Sequence, residues 1–207
     1  MTAATPSPSI AALRARFGGA VVRDRVLSGD SIAWVAANRA HEVLAWLRDD
    51  PAQDFNYLTD LTAVEYRDGE LPLEVVYQLR SLGRKADLRI KVELDKAAPL
   101  EVDSVVDLWA GANWLEREVY DMFGITFRNH PDLRRILMWE TYAEGHPLRK
   151  DFPLRGHFSR AEQTRQALAA SPESHYSVEE LAIAETYGEL PPDMRERLAR
   201  GGKGEVL

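Results

Sequence analysis

The chain has 207 residues, 45% of them hydrophobic and 29% charged, with a formal net charge of −7 and no cysteine. This is the balance of a globular protein holding one domain with an extension, or two small domains, and the acidic surplus argues against nucleic acid or an anionic membrane surface as the main partner. Without thiolates the chain offers no disulfide, no cysteine nucleophile and none of the usual ligands of an iron–sulfur cluster or structural zinc, and no run approaches the roughly 20 apolar residues that span a bilayer.

Residues 1–23 carry Arg14, Arg16 and Arg23 but no acid, as organellar transit peptides do. Ile10, Leu13 and Phe17 also fall on one side of a helix, and a first amphipathic helix is the preferred reading. Gly18-Gly19 breaks that pattern. A strand from Ala20 to Leu27, a turn at Ser28-Gly29-Asp30 and a returning strand over Ile32–Val35 follow. Asn38 is placed to cap a helix running to about Arg48, with His41, Leu44, Ala45 and Leu47 at helical spacing and Pro51 beyond its end.

The next block is the cleanest β signal. Leu58, Thr59, Leu61, Thr62 and Val64 lead to a turn at Arg67-Asp68-Gly69-Glu70. Leu73, Val75, Tyr77 and Leu79 form a second strand with period two, and after Gly83-Arg84-Lys85 come Leu88, Ile90, Val92 and Leu94. Three strands on short turns predict an antiparallel meander. From Ser104 the period changes: Ser104–Asp107 reads as a capped helical turn ending near Gly111. Asn113–Glu116 then reads as a second capping box, opening a helix with Leu115, Val119, Met122 and Phe123 as its apolar stripe. Gly124 is its expected stop. The class is α+β, a two-layer fold with a largely antiparallel or mixed β-sheet and helices packed on one face. Beyond residue 157 the apolar faces thin out, even where Ser159–Glu162 and Ser177–Glu180 resemble helix caps, and Pro172, Pro191-Pro192 and Gly201-Gly202 punctuate the rest. Residues 1–157 are therefore read as the domain and 158–207 as an extended C-terminal tail, partner-bound or flexible.

Several residue groups invite chemical readings. Glu116, Arg117, Glu118, Tyr120 and Asp121 crowd one helix, where two carboxylates could serve as acid and base or as metal ligands. Helical geometry favours ion pairing instead, with Arg117 and Asp121 as i, i+4 partners. His130, His146 and His157 stand in loops without the spacing of a helical zinc pair, and interface or turn roles are preferred to a metal site. A metal-dependent hydrolase built on them is the rival of another class. Arg128, Arg134, Arg135, Arg149, Lys150 and Arg155 make a basic stretch within the acidic chain, read as a docking surface for carboxylates on a neighbour. Reversing Arg134 and Arg135 to Glu is then expected to weaken assembly and leave the domain folded. Neither a G-x-G-x-x-G nor a P-loop pattern occurs.

The run Glu116-Arg117-Glu118-Val119-Tyr120-Asp121-Met122-Phe123-Gly124-Ile125, followed by Phe127 and by His130-Pro131-Asp132-Leu133-Arg134-Arg135-Ile136-Leu137, resembles without a gap the signature of the 30 kDa subunit family of respiratory NADH-quinone oxidoreductase (complex I). Asp107–Trp114 resembles its lead-in. Glu144-Gly145-His146-Pro147-Leu148-Arg149-Lys150-Asp151-Phe152-Pro153-Leu154 resembles its closing motif. The resemblance is dense from Asp103 to Leu154, weaker from Phe17 to Leu100 and absent from the tail.

It implies a non-catalytic structural subunit of the peripheral arm, beside the large quinone-site subunit. Such a subunit supports electron transfer from NADH to quinone coupled to proton translocation. The chain would bind no cofactor, while the complex as a whole would use FMN, iron–sulfur clusters, NADH and quinone. Membrane association would be indirect, at the cytoplasmic face of a bacterial cell membrane or, as the alternative, the matrix side of the mitochondrial inner membrane. Equivalent subunits of ferredoxin- or F420-linked complexes or membrane-bound hydrogenases are the nearest rivals.

Overall fold

The structure, a computed structural model, describes residues 7–66, 72–139, 141–154 and 156–170. The expected turn at 67–70 and the cap at 177–180 lie outside the described residues, as do Glu140, Arg155 and the prolines and glycines of the tail. By its contacts the chain divides into two compact units, Met1–His157 and Phe158–Leu207. In the second, the described part is helix α4 (Arg160–Ala170), opened by Ser159, whose hydroxyl accepts from the Glu162 amide at 3.3 Å.

The first unit opens with helix α1 (Pro8–Phe17). Ser7 caps it and Pro8 stands where a missing N–H costs nothing, while Ile10, Leu13 and Phe17 are buried. Strands β1 (Val21–Leu27) and β2 (Asp30–Val35) form the expected hairpin. Ser28 and Gly29 both take positive φ, +52° and +95°, as a two-residue hairpin turn demands. Helix α2 (Ala40–Asp49) begins later than expected. A 3₁₀ turn over Ala37–Arg39 intervenes, so Asn38 is not its cap, and the buried stripe is Ala40, Val43, Leu44 and Leu47. Val43 was absent from the expected face, and His41 is not in the core.

Strands β3 (Tyr57–Glu65), β4 (Leu73–Ser81) and β5 (Ala86–Leu94) form the antiparallel meander. A register shift between Leu58 and Asp60 resets the alternation of β3, so Leu58 faces inward and then Leu61, Ala63 and Glu65 do. The hairpin joins the meander through a parallel β2–β5 pairing, giving one mixed sheet of order β1-β2-β5-β4-β3. Two short strands, β6 (Glu101–Asp103) and β7 (Thr126–Arg128), pair in parallel on either side of helix α3 (Ala112–Phe123) in sequence.

The apolar faces of α1, α2 and α3 share one core with the inward residues of the sheet, among them Ala33, Leu61, Val75, Tyr77, Ile90 and Val92. The opposite face carries Trp34, Glu74 and Lys91. Glu74, only 2% exposed there, accepts from Trp34 Nε1 at 2.7 Å, the Tyr66 hydroxyl at 2.6 Å and Lys91 Nζ at 2.6 Å. Burial alone would raise this carboxyl. Lys91 and the two neutral donors more than offset that and hold it below the usual range.

Candidate functional site

Helix α3 places the signature residues. Val119, Met122 and Phe123 form its apolar stripe, with Leu115 half-buried. Its cap is Gly111, with no side-chain bond, so Asn113 lies inside the helix. The helix stops at Gly124 in the left-handed conformation (φ +76°), whose amide donates to the Tyr120 carbonyl at 2.9 Å. A Cβ there would lie 2.6 Å from Cδ2 of His146, so the same glycine also admits the imidazole of the closing motif.

Asp121 is the hub of the segment. It is fully buried, and one carboxylate oxygen accepts the amides of Ile136, Leu137 and Met138 at 2.8–3.0 Å. The other accepts Nη1 of Arg135 at 2.5 Å. Desolvation would raise the acid, but the Met138 amide, the Arg135 guanidinium and the Leu137 and Ile136 amides hold it below its ordinary range. Arg135 reaches further, with Nη2 donating to the Gly145 carbonyl at 3.1 Å and its guanidinium over the Tyr142 ring at 5.2 Å. His146 Nδ1 lies 3.0 Å from the Asp121 carbonyl, and because a carbonyl only accepts, that nitrogen carries the proton.

The expected Arg117–Asp121 pair does not form. Arg117 is buried and turns to the carbonyls of Arg134 and Arg135, at 3.2 and 3.1 Å, so each arginine serves the loop rather than the helix surface. The closing motif is held from the sheet by buried Glu65, which accepts the Lys150 amide at 2.7 Å and has Lys96 Nζ at 3.2 Å and Arg149 Nε at 3.6 Å. Glu65 was missed from the sequence. Period-two counting from Leu61 would have put it on the core face, where a charge needs partners.

Glu116 is fully buried and does not reach back to cap its own helix. It accepts the Val105 amide and the Ser104 hydroxyl, both at 2.7 Å. Ser104 in turn accepts the Val106 amide at 3.2 Å and the Val105 carbonyl accepts the Leu108 and Trp109 amides at 3.0 and 2.9 Å, so a single turn forms without growing into a helix, with Asp107 aimed instead at His41. Burial pushes Glu116 up to about 7 against the lowering effect of those two donors. Glu118 and Trp114 are exposed; Tyr120 is half-buried, edge-on to His146 at 6.2 Å, and Phe123 is buried.

Of the loop histidines, His146 and His157 line one open cavity and His130 lies elsewhere. His130 accepts the Asp132 amide on Nδ1 and donates from Nε2 to the Asn113 carbonyl, so both ring nitrogens are engaged, and Pro131 beside it is exposed. His157 meets Phe152 edge-on at 5.1 Å. Among the described residues no three His, Asp or Glu form a group that could hold a metal ion.

The basic stretch is largely engaged within the chain. Arg128 pairs with Asp103 and Glu101, Arg134 with Asp132, Arg135 with Asp121, and Arg149 with Glu65 and Asp151. With its side chain 15% exposed and locked inward, Arg135 is part of the scaffold, which corrects the expectation that reversing it leaves the domain folded. Lys150 and Asp151 are exposed and Pro147 is half-buried. Beside these charged side chains the segment also turns apolar ones outward: Leu137 at 61%, Leu148 at 49% and Leu154, fully exposed.

The family described as "Respiratory-chain NADH dehydrogenase, 30 Kd subunit" matches this chain over residues 33–158. The chain is 44% identical over 148 residues to an NADH-quinone oxidoreductase subunit of Citrifermentans bemidjiense, covering 72% of this chain and 89% of the relative. It is 43% identical over 152 residues to a subunit of the same enzyme from Rhizobium etli, covering 73% and 80%. Among solved structures it is similar to a chain of the membrane-bound sulfane sulfur reductase, an archaeal respiratory membrane complex. That match has a TM-score of 0.58 and 19% identity, covers 76% of this chain and 88% of that one, and bears on the fold alone.

Proposed function

The chain belongs to the 30 kDa subunit family of the respiratory-chain NADH dehydrogenase, and from that premise we propose that it is a non-catalytic scaffold subunit of NADH-quinone oxidoreductase, whose signature segment docks a neighbouring subunit. One observation carries the reading. The charged signature residues Arg117, Asp121 and Arg135 are turned inward to hold irregular backbone, while Leu137 and Leu148 are left facing out. Exposed apolar side chains on a rigidly held segment suit a subunit interface better than a site for small-molecule chemistry.

In this reading the partner is the large quinone-site subunit, and the chain itself holds no flavin, cluster, NADH or quinone. No helix among the described residues is long and apolar enough to cross a membrane, which accords with peripheral attachment through partners at the cytoplasmic face of a bacterial membrane. The test is a tagged pull-down from gently solubilised membranes, comparing the native chain with Leu137→Glu and Leu148→Glu. The native chain is expected to bring down NADH-oxidising and quinone-site subunits. The variants are expected to lose them with folding stability changed by no more than about 0.5 kcal/mol. Full recovery by both variants, or a native chain that comes down alone, would overturn the docking reading. A hydrogenase or ferredoxin-linked core would keep the scaffold and change the electron donor.

A further inference from the structure

The buried carboxylates of the first unit are not alike. Glu65 has Lys96 and Arg149, Glu74 has Lys91, and Asp121 has Arg135. Glu116, equally buried, has hydrogen bonds only from the Val105 amide and the Ser104 hydroxyl, and no salt bridge among the described residues. It stands where α3 holds the turn over Ser104–Asp107. That turn walls an open cavity of about 780 Å³, lined also by His41, Asp103 and Pro131.

The charged and titratable groups around Glu116 come from several elements. Asp107 on the turn opposes its ionisation, and His41 on α2, engaged with Asp107 at 3.0 Å, favours it only weakly. Tyr77 on β4 is fully buried, its hydroxyl has no partner among the described residues, and its own ionisation is opposed first by burial and then by Glu116 and by Asp103 of β6. Arg117, next on the helix, faces away toward the carbonyls of Arg134 and Arg135.

We propose that Glu116 is a buried proton-binding site, behind the turn that walls the cavity, whose protonation secures the joint between α3 and the Ser104–Asp107 turn. A neutral carboxyl still accepts the Val105 amide, and its added O–H finds an acceptor in the Ser104 hydroxyl. An ionised one leaves a desolvated charge with no counter-ion. The folded state therefore holds this proton to higher pH than the unfolded chain does. Stability from the site is complete below the ordinary glutamate range and is lost as pH rises through about 7.

The experiment is urea unfolding of the full chain between pH 5 and 8, set beside Glu116→Gln and His41→Gln. Between the two glutamate values the unfolding constant should rise with pH by a factor approaching tenfold per unit. The slope is expected to vanish in Glu116→Gln and to persist in His41→Gln, which removes the imidazole engaged with Asp107. Equal slopes in the native chain and Glu116→Gln, or a slope lost only with His41, would overturn the proposal. Should Glu116→Gln fail to fold, the carboxyl carbon shift of Glu116 in the native chain decides: a midpoint near 7 supports the site and one in the ordinary glutamate range overturns it.

Discussion

Replacing Arg135 by Met is expected to cost about 3–4 kcal/mol of folding stability, because it strips the cation from a fully buried acid. Breaking a buried pair costs about 3–5 kcal/mol, and the lower end applies because Asp121 keeps the three amides of Ile136, Leu137 and Met138. The Gly145 carbonyl loses its donor and the Tyr142 ring its cation, which together return part of that discount. Against a typical domain stability of about 5–15 kcal/mol, such a loss is decisive. Arg134, one residue earlier, pairs with Asp132 where both side chains are more than half exposed, and Arg134→Glu should cost below about 1 kcal/mol. The assay is urea unfolding of the full chain with the slope held in common. A cycle with Asp121→Asn should return a coupling of about 1–3 kcal/mol. An Arg135→Met penalty below about 1 kcal/mol, or one no larger than that of Arg134→Glu, refutes the inward clamp.

Gly124→Ala must adopt φ +76° and push its methyl to 2.6 Å from the His146 ring, so a loss of about 2–3 kcal/mol is expected by thermal unfolding. His146→Ala in the same chain should restore the steric part and leave the conformational cost. Lys91→Met exposes the other sheet face to the same reasoning and should cost about 3 kcal/mol. Glu74 is held below the ordinary glutamate range, so its contribution is present above that range and lost as pH falls through the folded value. Without Lys91 the folded value rises toward the ordinary range, so the share of the acid limb that Glu74 supplies should shrink; an unchanged limb would mean Trp34 and Tyr66 suffice.

The legible parts of the fold were those written in local period. The stripe of α3, the stop at Gly124, the β1–β2 hairpin and the β3–β5 meander follow from residues a few positions apart. The parallel β2–β5 pairing joins strands more than 50 residues apart, and no local pattern records it. Strands β6 and β7 have three residues each, too few for a period to show. Caps misled for a related reason: Asn38 and Asn113 fit the composition of a helix start, but 3₁₀ geometry before α2 and Gly111 before α3 set the actual starts. In the site, the i, i+4 rule joined Arg117 to Asp121 because it counts only neighbours on the helix. Both side chains found stronger claims on the loop, which the rule does not see.

That competition explains why so charged a helix need not be a catalytic one. Residues 129–139 and 141–154 contain no helix or strand, so their backbone groups have no ladder to satisfy them. The signature side chains supply the missing partners. Asp121 takes three N–H groups, Arg117 takes two carbonyls, Arg135 takes the carbonyls of Asp121 and Gly145, and Glu65 takes the Lys150 amide. With the backbone satisfied from within, Leu137 and Leu148 need not collapse onto the domain to order the loop, and they stay outward. A conservative change among the buried charges should then disturb docking only by loosening the loop, whereas a change at the leucines should disturb docking and leave the loop in place. The two classes of variant separate scaffold from interface within one sequence motif.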